Sequence, residues 1–152
     1  SATVPNDKYE SYIILELIPE IDARFRTLAN RENRAIAGLS MGGMQTINIG
    51  IGECMDLFSY FGAFSAAPTS NPAEKTAKIL EETPYAVDYF YNICGTEDEI
   101  AYDSAAAAAK NLPVLCDKLK EPDNFIWQEL KGMHDFHIWY LGFFNFAQIV
   151  FK

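Results

Sequence analysis

Apolar residues recur at the three-four spacing of one helical face over residues 9–28, at Ile14, Leu17, Ile18, Ile21, Phe25 and Leu28. That spacing predicts a helix, which Pro19 should kink or restart. Short apolar runs follow at 34–39 (RAIAGL), 60–67 (YFGAFSAA), 89–95 (YFYNICG) and 124–130 (NFIWQEL), and each predicts a strand. Between them lie helix-forming segments. These are 42–54, weakened at its end by Gly50 and Gly52; 72–82, opened by Pro72 as a first-turn residue; and an alanine-rich 102–119 interrupted at Pro113. An aromatic helix over 138–151 closes the chain. Strand and helix alternate, so the expected architecture is α/β. A parallel sheet carries helices on its faces, and reactive groups collect beyond the carboxyl ends of its strands.

Composition narrows what such a domain can do. The 152 residues are 49% hydrophobic and 14% aromatic, enough to bury one sizeable core as a single domain, 1–152. A net charge of −9 argues against nucleic acid or an anionic membrane as partner and fits a neutral or cationic small substrate, or simply a soluble surface. No apolar run approaches the roughly 20 residues of a membrane span. Cys54, Cys94 and Cys116 form no C-x-x-C pair and no metal spacing, so buried free thiols are expected. No signal peptide is visible and there is no initiating Met; the opening SATVPND reads as a processing boundary.

The chemistry sits at the strand ends. The first strand runs into Gly38-Leu39-Ser40-Met41-Gly42, a G-x-S-x-G. A serine on a tight strand-to-helix turn is held in a strained backbone with its hydroxyl exposed, and glycines two residues away let strand and helix pass closely. The backbone N–H of Met41 would then face an oxyanion. Beyond the third strand stand four carboxylates, Glu97, Asp98, Glu99 and Asp103, any of which could orient a histidine or serve only as a helix cap. Both histidines follow the fourth strand. His134 lies in the loop and is the candidate base, whereas His137 opens the last helix with an exposed role. The resulting order, serine, acid, histidine, is that of an α/β-hydrolase.

LIPEIDARF, NRENRAIAGLSMGGMQTINIG, FSAAP, CGTEDE and GMHDFHIW…FFNFAQ together resemble the feruloyl esterases of carbohydrate esterase family one, from about residue 9 to the end. The resemblance implies a three-layer α/β-hydrolase sheet and hydrolysis of the ester between ferulate and arabinose on plant xylan. No metal or organic cofactor is implied. It places the nucleophile on Ser40 and the base on His134, and it selects Asp98 as the acid. By their positions Met41, Pro68 and Trp139 are candidates to line an acyl pocket, with core packing the alternative for Trp139; Trp127, inside a strand, is expected in the core. A substrate on plant cell walls implies secretion.

The chain begins at the helix before the nucleophile strand, so the amino-terminal strands of this fold are expected to be missing. With them would go the loop that supplies the second oxyanion donor. A missing amino-terminal half or another chain is then an expected partner. Acetyl-xylan esterases, thioester hydrolases for formylated glutathione and mycolyl transferases share the fold and set an alternative chemistry. A non-catalytic module that binds carbohydrate or a partner chain is a further reading.

Overall fold

The computed structural model describes residues 8–152. Four parallel strands, β1 (Ala35–Leu39), β2 (Tyr60–Phe64), β3 (Tyr89–Gly95) and β4 (Phe125–Leu130), pair in chain order. Ala35 stands opposite Tyr60, Tyr60 opposite Tyr89, and Phe90 opposite Phe125. Every residue of β3 is buried, because the strand is covered on both faces. Its side chains alternate between two cores: Phe90 and Cys94 face one, and Tyr89, Tyr91 and Ile93 face the other.

The first core is roofed by α3 (Met41–Gln45) with the π-helical turn Thr46–Ile51 that continues it, α4 (Ala73–Glu82), α5 (Tyr102–Ala109) and α6 (Leu112–Leu115). Ile47, Ile51, Ala77, Leu80, Ala105 and Leu112 meet Phe61, Phe90 and Phe125 there. The three rings stand edge to face at 6.4 and 5.7 Å, each pair adding about 0.5–1.5 kcal/mol beyond the area it buries. On the other face α7 (Phe136–Ala147) lays Ile138 and Phe146 against Phe64 and Tyr91. The molecule is therefore a three-layer α/β sandwich on a parallel sheet, as the alternation predicts.

Element boundaries shift for local reasons. The first helical stretch runs as α1 (Tyr9–Tyr12), a π turn over Ile13–Leu17 and α2 (Ile18–Arg24). Pro19 restarts the helix in the first turn of α2, and the wider turn ahead of it carries the Ile18 N–H to the Ile13 carbonyl. This stretch ends at Arg24, not near residue 28, since Phe25 is already extended. Its predicted apolar face is mostly unburied, with Ile18 alone of that face packing partly on the first core. Ile13 enters the core, while Ile14, Leu17, Ile21, Phe25 and Leu28 stay exposed beside β1, the edge where the described sheet stops.

Pro113 likewise splits the alanine-rich segment into α5 and α6. Pro72 is the extended residue before α4 rather than its first turn. The last helix starts two residues early because the Asp135 side chain caps the His137 N–H at 3.0 Å. Cys54, Cys94 and Cys116 are free and buried. Trp127 is only partly buried, its Nε1–H donating to Glu129 at 2.8 Å. Among the described residues no helix is long and apolar enough to cross a membrane.

Candidate active site

Ser40 is the single residue between β1 and α3, and it bends the chain at φ 52°, ψ −113°. A non-glycine residue pays strain in that region, so the surroundings must hold it there. They do so through the backbone. The Ser40 N–H donates to Phe64 at 2.8 Å, and its carbonyl accepts from Met44 at 3.1 Å and from Ala67 at 3.0 Å. Gly38 makes the turn sterically possible, because a Cβ there would lie 2.5 Å from the Gly42 carbonyl carbon. The expected matching clash at Gly42 is absent: a Cβ on Gly42 would meet nothing within 4 Å among the described residues. Met41 and Gly42 open the helix, where backbone N–H groups have no carbonyl of a preceding turn to bond.

β1, β3 and β4 are parallel, so the loops after them share one end of the sheet. Gly95 ends β3, and a Cβ at that position would lie 2.3 Å from the Gly132 carbonyl oxygen. Without a side chain there, the loop after β4 closes down onto the loop after β3. The Thr96 N–H donates to Leu130 at 2.8 Å and the Glu97 N–H to Gly132 at 2.9 Å. That docking delivers His134 to Asp98 and Ser40 together. Nδ1 of His134 lies 2.7 Å from Asp98 Oδ2, and Nε2 lies 2.9 Å from Ser40 Oγ.

Asp98 is fully buried in its side chain, and its other oxygen, Oδ1, accepts from the N–H groups of Ile100 at 3.0 Å and Ala101 at 2.8 Å. Burial pushes this carboxyl up. The bonds from His134, Ala101 and Ile100 together outweigh burial and hold it below the ordinary carboxylate value. The group is therefore an anion, which favours the tautomer of His134 with its proton on Nδ1.

The remaining candidates fall into different places. Glu97, Glu99 and Asp103 point into solvent, and Glu97 pairs loosely with Lys131 at 3.7 Å. His137 is exposed on α7. Pro68 is exposed on the rim of a cleft shared with Asp98 and Tyr102. Trp139 packs edge to face on the His134 ring at 5.0 Å and on Phe136 at the same separation. It thus backs the imidazole and joins the core below α7. No group of three or more His, Cys, Asp or Glu among the described residues could hold a metal ion. Gly95 and Ser65, which has φ 46° at the end of β2, also shape the site. Sequence reading passed over both; a glycine ending a strand one loop away from a histidine was the available signal.

A family model described as "Putative esterase" matches residues 2–139. The chain belongs to this esterase family. Within it, 92 residues are 40% identical to an endo-1,4-beta-xylanase/feruloyl esterase of Xylanibacter ruminicola, covering 60% of this chain and 12% of that protein. An esterase of Mycobacterium tuberculosis is 36% identical over 74 residues, 48% of this chain and 15% of its own length. Among solved structures, a CE1 ferulic acid esterase from Anaeromyces mucronatus in complex with ferulic acid superposes with a TM-score of 0.75 at 24% identity. The superposition covers 99% of this chain and 60% of that one. An S-formylglutathione hydrolase from Staphylococcus aureus gives a TM-score of 0.70 at 19% identity, covering 97% and 66%. This esterase-family chain therefore spans a minor part of the two relatives' lengths and under two thirds of the ferulic acid esterase's chain.

Proposed function

We propose that this chain carries the nucleophile, base and acid of a serine carboxylic-ester hydrolase acting on feruloyl esters of arabinoxylan. The single observation behind the reading is the unbroken hydrogen-bonded line from Ser40 Oγ through His134 to a buried, ionised Asp98. Ser40 Oγ attacks the ester carbonyl while His134 Nε2 takes its proton. Negative charge develops on the carbonyl oxygen, and the Met41 N–H is the proposed donor to it, a reading supported by its position at the start of α3. His134 then passes the proton to the sugar oxygen as its bond to the acyl carbon breaks, so the sugar leaves as an alcohol and an acyl-serine remains. Water, deprotonated by His134, cleaves that acyl-enzyme and releases the hydroxycinnamic acid.

The feruloyl part of the reading is supported by the Xylanibacter relative's name and by the ferulic acid bound in the Anaeromyces esterase. Secretion follows from the substrate, a plant-wall polysaccharide. Pro68 borders the cleft beside Asp98 and is assigned to substrate contact. Trp139 acts behind His134 and reaches the substrate only through the imidazole. The test is hydrolysis of methyl ferulate, p-nitrophenyl acetate and S-formylglutathione by the parent and by Ser40→Ala. The expected result is methyl ferulate as preferred substrate and a loss on the order of 10³-fold or more in the variant. Equal turnover by both proteins removes Ser40 from the chemistry. A clear preference for the formyl thioester assigns the site to the other chemistry of this fold.

A further inference from the structure

Behind the acid lies a second buried group that the reaction above does not use. Cys94, the sixth residue of β3, is fully buried, and its Sγ stands 3.7 Å from Asp98 Oδ2. That oxygen is also the one His134 Nδ1 binds. Oδ1 is already occupied by the amides of Ile100 and Ala101, so the carboxylate meets four donors and divides Oδ2 between two of them. Burial pushes the thiol up to about 12; the neighbouring Ser65 hydroxyl works against that shift and the Asp98 charge adds to it. Cys94 consequently keeps its proton wherever a histidine titrates, and the thiol has a hydrogen to donate.

Ser65 closes the cluster from β2. Its hydroxyl is buried without a conventional hydrogen bond among the described residues, and it sits beside the thiol in a residue held at φ 46°. Two residues on, the Ala67 N–H grips the Ser40 carbonyl at 3.0 Å. The ends of β2 and β3 thus meet at this sulfur, and Ala67 bonds the chain after β2 on to Ser40 at the end of β1. The ionisable groups that face it or its partner are Asp98, His134 and, from α5, Tyr102.

We infer that Cys94 is a positioning residue whose thiol hydrogen-bonds Asp98 Oδ2 and so sets how strongly the carboxylate holds His134. This rests on the proposed esterase reading only for its consequence in catalysis. The physics is competition for one acceptor: an oxygen shared by two donors gives less to each. Removing the thiol leaves Oδ2 to His134 alone. The imidazolium is then better stabilised, and His134 holds its proton to higher pH.

The experiment is a proton NMR titration of the two histidines in the parent, Cys94→Ala and Cys94→Val, alongside pH profiles of methyl ferulate hydrolysis. Alanine shrinks the side chain and valine enlarges it, so packing effects should diverge while loss of the donor is common to both. Exposed His137 is the internal reference. The expected result is an upward shift of the His134 midpoint by about 0.5 pH unit in both variants, the size of a weak hydrogen bond, with His137 unmoved. The acidic limb of kcat/KM should move with it. An unchanged His134 midpoint in both variants, or shifts of opposite sign that follow side-chain volume, overturns the inference. If the parent does not hydrolyse esters but both variants shift His134, the esterase reading falls and the positioning role stands.

Discussion

At the scale of single residues the elbow makes an asymmetric demand on its glycines. Gly38→Ala forces a Cβ into the backbone of the facing helix, with no flexible side chain to give way. It should cost about 1–3 kcal/mol, read as a lowered denaturant midpoint. Gly42→Ala meets open space and should leave the midpoint within about 0.5 kcal/mol of the parent. A fall as large as that of Gly38→Ala would show a contact at Gly42 that the described residues do not make. The choice among four carboxylates is also decided at this scale. Only Asp98 stands where a short side chain reaches back to the amides two and three residues on and across to His134. The sequence held the residues of that turn, but composition and spacing left Glu97, Glu99 and Asp103 equivalent to it. The resemblance separated them, and the geometry supplies the reason.

Among elements, helix α5 is tied to β4 by one carboxylate. Glu129 Oε1 accepts from Tyr102, from Trp127 and from Lys110, the residue after α5. The Lys110 bond, with help from Trp127 and Tyr102, holds this carboxyl down at about 2, against an ordinary 4.5. Its stabilising contribution is therefore full above pH 4.5 and fades as pH falls toward 2, where the folded protein takes up the proton too. The stability gap between the parent and Glu129→Gln should accordingly be widest near neutrality and close near pH 2, followed by urea midpoints across that range. A gap that does not change with pH would show that the bonds count and the charge does not. Apolar runs announced the strands well, although only β2 and β3 are buried almost throughout and β1 and β4 are partly covered. The helices were harder to place. Pro19 and Pro113 announce a break but not which turn absorbs it, and the wide turn at Thr46–Ile51 has no signature in a pattern of helical period.

Across the whole molecule, the two helical layers show apolar surface beyond the sheet they cover. Leu17 in the π turn, Ile21 in α2, and Tyr140, Phe143 and Phe144 on α7 are exposed, the α7 residues at 74%, 62% and 61%. Patches of this kind favour association, whereas a net charge of −9 opposes it. Raising salt screens the charge and leaves the apolar term, so light scattering should report self-association that grows with ionic strength. A Phe143→Glu/Phe144→Glu double variant should suppress it with little change in stability, because both rings lie in solvent. The periodicity of residues 9–28 foretold an apolar face correctly but not its exposure. Burial belongs to whatever lies opposite a helix, and the helix's own pattern carries no record of that.

The loop carrying His134 is fastened at both ends: to β3's loop through Leu130 and Gly132, and to α7 through the Asp135 cap. Few residues between the fastenings are left to search space, so the imidazole meets Ser40 as a tethered reagent rather than a dissolved one. Well-oriented intramolecular groups reach effective concentrations on the order of 10⁵ M or more, far beyond what any solution can hold. Imidazole added at molar strength to His134→Ala should therefore restore only a trace of ester hydrolysis. The double fastening makes the base local, and no quantity of the same base in the medium replaces it.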